Sequence, residues 1–228
     1  TLFIYKFMYQ EIRDSLVKSG VSFRANDNIS EHLSPEQKAA LETEVEAAVQ
    51  NLLNVLVIDT ANDHNTHETA RRVAKMFVRE IWSGRYEAAP KITEFVNHSD
   101  LDQLYLTGPI TVRSTCSHHL MPIMGEAWVG VLPGSNVVGL SKFNRIIDWF
   151  ASRPQIQEEL TSQIADYLQE KLAPKALGVV IKASHYCMKC RGVKEASGAM
   201  TTSVVRGDMR TQPSLKNEFF NLIELSKK

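Results

Sequence analysis

Two clusters of thiols and imidazoles, Cys116-Ser-His-His119 and His185-Tyr-Cys-Met-Lys-Cys190, stand far apart in the chain. A fold that uses them together must bring them to one place. The first lies in Arg113-Ser-Thr-Cys-Ser-His-His-Leu-Met-Pro122, directly after a strand-like segment. A thiolate and an imidazole three residues apart suit zinc, which takes sulfur and nitrogen ligands in a tetrahedral shell. Two ligands do not complete that shell, so the second cluster is the candidate for the rest. All three cysteines fall in these clusters. An odd number in two tight groups argues against a disulfide scaffold and for a reducing compartment, with the cytoplasm as the expectation.

The remaining sequence reads as an α+β chain. Tyr9 to Ser19 is a short amphipathic helix, and Arg24 to Ser30 a polar link. Ser34-Pro-Glu-Gln37 carries the capping-box signature of a helix start. Leu41, Val45, Ala48, Val49, Leu52 and Leu56 follow at helical spacing and predict a core-facing helix, with Glu42 to Glu46 as its solvated face. A second long helix is expected from Thr66 to a glycine stop at Gly84, its outer side bearing Arg71, Arg72, Lys75 and Arg79. Beyond Pro90 the period changes to alternation in Leu104 to Val112 and in Ala127 to Val131, which makes the Cys116 segment the link between two antiparallel strands. Next come a short strand from Val137, a helix from Ser141, a helix restarted by Pro154, and a strand from Leu177 to Cys187 that puts His185 and Cys187 on one face. A strand from Gly198 and a closing helix capped by Ser214 end the chain. The boundary between an N-terminal helical region, residues 1–90, and a sheet-containing domain, residues 91–228, is expected near residues 88–102.

Composition excludes little but is informative about partners. Lys plus Arg equals Asp plus Glu at 26 each in 228 residues, so no net charge draws the chain to nucleic acid or to a membrane. The apolar opening, Leu2 to Tyr9, is broken by Lys6 and too short to cross a bilayer, and no signal-peptide pattern follows it. A chain that opens on Thr1 is expected to have lost an initiator or a tag.

Two readings of the clusters compete. With Cys116, His119, Cys187 and Cys190 as ligands the shell is closed and structural, a Cys3His module of the kind that organises protein-protein assembly. With Cys116, His119 and Cys187 alone, a fourth position is open to water, whose pKa zinc lowers toward neutrality. Spacing slightly favours the closed shell. Two features favour the open one. His118 and His185 are imidazoles beside the ligands with no work to do in a closed shell, and histidine titrates where proton transfer is needed. Gly139-Leu-Ser-Lys-Phe-Asn-Arg145 opens a helix, where amides with Ser141, Lys142 and Arg145 can cradle a phosphate.

The motifs in order, Glu68-Thr-x-x-Arg72-x-Ala-Lys75, Ser114-Thr-Cys116-x-His118-His119, Gly139-Leu-Ser-Lys142-x-x-Arg145, Arg153-x-Gln155-x-Gln157-Glu158 and His185-x-Cys187-x-x-x-Arg191-Gly192, resemble zinc-dependent GTP cyclohydrolase I. The resemblance runs from about Glu68 to Phe220. It implies the tunnelling fold, an antiparallel sheet with helices packed on one side, in homo-oligomeric rings, typically decamers, with sites shared between subunits. It implies conversion of GTP and water to 7,8-dihydroneopterin triphosphate and formate, with zinc on Cys116, His119 and Cys187. His185 would protonate the purine ring nitrogen, while His118 and Ser141 would serve the later sugar steps. Glu158, with Gln157, would read the guanine edge, and Arg72, Lys75, Lys142, Arg145 and Arg191 would meet the triphosphate.

Some positions depart from the family pattern. Ser117 stands where glutamate is usual, Glu159 where arginine or asparagine is usual, Ala70 where proline is common, and Cys190 is an extra thiol. None of these removes a ligand. A zinc nucleobase deaminase is disfavoured, since the chain lacks the His-x-Glu and Pro-Cys-x-x-Cys pattern of that chemistry.

Overall fold

The computed structural model describes residues 7–227, in two compact units that divide between Ala88 and Ala89. The expectation for Leu2 to Tyr9 falls mostly outside the described residues. Among the described residues no helix is long and apolar enough to cross a membrane.

In the N-terminal unit, helix α1 (Met8–Lys18) packs Ile12 and Leu16 with Ile29 in a small core. Helix α2 (Pro35–Val55) starts where its sequence says it should. The Ser34 hydroxyl accepts from the Gln37 amide at 3.1 Å, and the Gln37 side chain accepts from the Ser34 amide at 2.9 Å. Two expectations for α2 are corrected. No residue of the helix is buried, and Leu52 and Leu56 are 55% and 60% exposed, so its apolar stripe does not face a core within this unit. Its acidic run is more than a solvated face. The Glu44 carboxylate accepts from the Met8 and Tyr9 amides at 2.6 and 2.9 Å and so caps α1, and Glu42 pairs with Arg79. An anion at a helix start meets both the unpaired amides and the positive end of the helix dipole.

The second helix also differs from expectation. It begins as α3 (Thr69–Lys75), widens into a π-helical turn over Met76–Ile81, and continues as a short α4 (Ser83–Tyr86). Gly84 does not stop the helix but is buried inside α4. Phe77 and Trp82 stack at 4.2 Å across the widened turn, which accommodates two rings that regular helical spacing would not align.

The C-terminal unit holds a five-stranded sheet in the order β5-β2-β3-β6-β7. Strands β2 (Tyr105–Cys116), β3 (Pro122–Leu132), β6 (Ala176–His185) and β7 (Met200–Gly207) are antiparallel to their neighbours, and β5 (Pro154–Gln155) pairs parallel to the end of β2. Pro154 therefore belongs to a strand, not to a helix start. Two more strands, β1 (Glu94–Val96) and β4 (Asn136–Val138), form a separate pair. The stretch expected to be linker thus carries β1. Alternation sorts the sheet residues onto two faces. Val112, Ala127, Val129, Leu177, Val179 and Ile181 face α5 (Ser141–Ala151) and α6 (Gln157–Leu172), whose Phe143, Ile147, Leu160, Ile164 and Leu168 complete the main core.

The opposite face is covered in part by α8 (Pro213–Ser226), with Trp128, Val180, Phe219 and Ile223 forming a second core. Gly130 lies opposite Gly178, and the Phe219 ring fills the notch that these two residues leave, closer than a Cβ would permit. The cap expected of Ser214 is absent, since Pro213 occupies the first helical position and Gln212 precedes it.

Candidate metal centre

The sheet register brings the clusters together. The end of β2, the start of β3 and the end of β6 lie at one end of the sheet, with Ser114 opposite Ile123 and Ile123 opposite His185. The hairpin between β2 and β3 carries His118 and His119. It is held by the Cys116 amide donating to the Met121 carbonyl at 2.8 Å and the Leu120 amide to the Cys116 carbonyl at 2.9 Å. Leu120 adopts φ of 53°, a left-handed conformation that costs a leucine about 1 kcal/mol or more and persists only where its surroundings enforce it.

Chain direction then decides the third donor. The strand expected to run through Cys187 ends at His185, and residues Tyr186–Lys189 turn as a short helix, α7. His185 and Cys187 therefore do not share a strand face. The turn instead carries the Cys187 sulfur back toward the hairpin. The sulfurs of Cys116 and Cys187 and a ring nitrogen of His119 lie within 4.8 Å of one another. Cys116 is buried, Cys187 half-buried and His119 exposed, while Cys190, exposed, stands outside the group. Burial, followed by the adjacent Cys116 sulfur, raises the Cys187 thiol above the ordinary cysteine range, and the charge of Arg191 opposes this. Two thiols at such a spacing resist joint ionisation unless a cation lies between them. Two soft sulfurs and an imidazole are compatible with zinc.

The other expected site residues lie on several elements of the two units. His185 is half-buried, and burial holds its imidazole below the usual histidine range, partly offset by the negative charge of Glu158. Glu158 is exposed in the first turn of α6. Arg191, following α7, donates to His119 Nε2 at 2.7 Å. His118 is exposed, its ring edge-on to that of His119 at 6.4 Å. Ser141 and Arg145 are exposed and Lys142 half-buried over the first turns of α5. Arg72 and Lys75 belong to the N-terminal unit, exposed one turn apart on α3, where Arg71 is paired to Glu68 and Arg79 to Glu42.

Gln157 differs from expectation. It is fully buried, and its amide is spent on the Ile181 and Met200 carbonyls, the Thr202 hydroxyl and His185. A side chain so committed does not face a ligand, which is at odds with a part in reading the guanine edge. Arg153, a motif residue to which the sequence assigned no role, is buried with its guanidinium 3.9 Å from the Trp149 ring centroid and 4.7 Å from that of Phe150. Gln155, of the same motif, donates from its carboxamide to the Phe150 carbonyl at 2.7 Å, and its main-chain carbonyl accepts from the Ser117 amide at 3.1 Å. Polar residues flanking a helix start gave no sign that they would be buried.

Known proteins place this site in context. The family model described as GTP cyclohydrolase I matches residues 45–224. The protein named GTP cyclohydrolase 1 from Aliivibrio salmonicida (strain LFI1238) is 38% identical over 211 residues, covering 92% of this chain and 94% of its own. The protein of that name from Edwardsiella ictaluri (strain 93-146) is 41% identical over 190 residues, covering 83% and 86%. A solved structure of an archaeosine synthase QueF-Like protein in the apo form covers 53% of this chain and 97% of its own at 14% identity and a TM-score of 0.36, too loose a likeness to bear on the fold. With a family model spanning most of its length and relatives of this identity matched nearly end to end, the chain belongs to the GTP cyclohydrolase I family.

Proposed function

We propose that the chain converts GTP and water to 7,8-dihydroneopterin triphosphate and formate, with zinc held by Cys116, His119 and Cys187. The observation that carries this reading is the meeting of those three donors in a chain of this family, with Cys190 outside the group. Three protein donors suit an open, catalytic site, whereas the closed Cys3His alternative needs Cys190. When bound, zinc would supply a Lewis acid and a water of lowered pKa.

The chain's own groups would do the rest. His185, whose burial makes its charged form a ready acid, would take the proton that water gives up as it adds at C8 and pass it to the purine ring nitrogen as the imidazole ring opens. A second hydrolysis frees formate. The ribose then opens and rearranges to a ketone before the new ring closes, and His118 and Ser141 would move protons in these steps. The Glu158 carboxylate would accept from the ring N–H and exocyclic amine of guanine, a pair that adenine does not offer in that arrangement. Lys142, Arg145 and Arg191, joined by Arg72 and Lys75, would meet the triphosphate through charge-assisted hydrogen bonds. A homo-oligomeric ring, a decamer by the resemblance, with sites shared between subunits, would engage the long outer edge of β7 and most of that of β2, both unpaired among the described residues.

The test is Glu158→Ala. Because hydrogen bonds to a charged group contribute about 1.5–3 kcal/mol, kcat/KM for GTP should fall by about 10- to 200-fold while bound zinc stays stoichiometric. Unchanged turnover would remove Glu158 from the guanine site.

A further inference from the structure

The Gln157 network fixes more than a helix end. Its Nε2 lies 3.0 Å from the Ile181 carbonyl, 3.1 Å from the Met200 carbonyl and 3.0 Å from the Thr202 hydroxyl. The two carbonyls can only accept. Thr161 donates its hydroxyl hydrogen to the Gln157 main-chain carbonyl at 2.8 Å, so the 2.6 Å contact between Thr161 and Thr202 must use the Thr202 hydrogen. Thr202 is thereby left to accept from Gln157. A flipped carboxamide would set Oε1 against two carbonyl oxygens, so the amide has one orientation. Its Oε1 then faces His185 Nε2 at 2.9 Å, and that nitrogen must carry a hydrogen.

We propose that Gln157 is a positioning residue that holds His185 as its Nε2–H tautomer, which leaves Nδ1 as the nitrogen that exchanges a proton with the substrate. The inference rests on the reading of His185 as the proton donor. An amide oxygen accepts this hydrogen but cannot take it as a proton, so Nε2 keeps it whether His185 is neutral or charged. Nδ1 takes the proton that the adding water releases and donates it to the purine nitrogen, and the imidazole returns to the neutral Nε2–H form. The anchors span α6, β6 and β7, so the edge strand β7 contributes to His185 without reaching the reacting atoms.

Two measurements on the zinc-loaded protein test this. Solid-state 15N spectra of sedimented, histidine-labelled protein, with the His185 signals assigned by their loss in His185→Ala, should show neutral His185 protonated at Nε2 alone, and a mixture of tautomers in Gln157→Leu. Neutral His185 protonated at Nδ1 in the unaltered chain would overturn the proposal. This spectrum needs no turnover, so it decides the matter even if GTP is not the substrate.

The second is a kinetic cycle. Loss of a group that orients an active-site imidazole typically costs 10- to 100-fold, so Gln157→Leu should lower kcat by about that much with KM for GTP changed less than about threefold. In a His185→Ala background the same substitution should cost nothing further. An equal cost in both backgrounds, or a rise in KM alone, would overturn it. If Gln157→Leu does not fold, Thr202→Val loosens the same amide and runs through the same cycle.

Discussion

At the scale of single residues, Cys187 and Cys190 separate the two accounts of the site. They lie three positions apart, yet only the Cys187 sulfur groups with Cys116 and His119. Cys190→Ala is expected to bind zinc as the unaltered chain does, whereas Cys187→Ala should lose it, each measured by metal content after dialysis. Equal loss in both variants would make the site a closed Cys3His module. The site was legible in the sequence because thiols and imidazoles are scarce and their chemistry is narrow. Gln157 was not legible in that way. A glutamine in the first turn of a helix is ordinarily exposed, and only the sheet beside α6 decides that this one is buried against Ile181 and Met200 while the next residue, Glu158, is exposed. Residues whose role depends on which face a neighbour covers cannot be sorted by type.

At the scale of elements, Glu44 ties α2 to the start of α1. Removing a side-chain cap costs about 1 kcal/mol. Glu44→Ala should therefore raise hydrogen exchange at the first amides of α1, with exchange in the β2–β3–β6 sheet unchanged. Unaltered exchange at Met8 and Tyr9 would mean that the carboxylate does not hold them. The long strands could be read because alternation in Leu104 to Val112, Ala127 to Val131 and Val179 to Ala183 reports a sheet with different cover on its two faces. Strand β1 could not, since three exposed residues carry no period. The turn at Cys187 was hidden because Cys187 continues the strand's alternation past His185, where pairing stops. The stripe of α2 misled for the opposite reason: its helical period is real, but Leu52, Val55 and Leu56 remain exposed in the single chain.

At the scale of the molecule, the α+β architecture of an antiparallel sheet with packed helices agrees with the tunnelling fold of the GTP cyclohydrolase I family. A sheet with two open edges is prone to pair with further copies. Sedimentation velocity should give a species about tenfold the 25.7 kDa chain mass, and a monomer at micromolar concentration would contradict a shared-site ring. The central claim is that donors brought together from two distant clusters serve GTP hydrolysis. Its most direct measurement is the incubation of GTP with protein confirmed to hold stoichiometric zinc, followed by oxidation and fluorescence detection of the pterin. A fluorescent pterin formed in step with formate is expected, and zinc-loaded protein that leaves GTP intact would rule the proposed activity out.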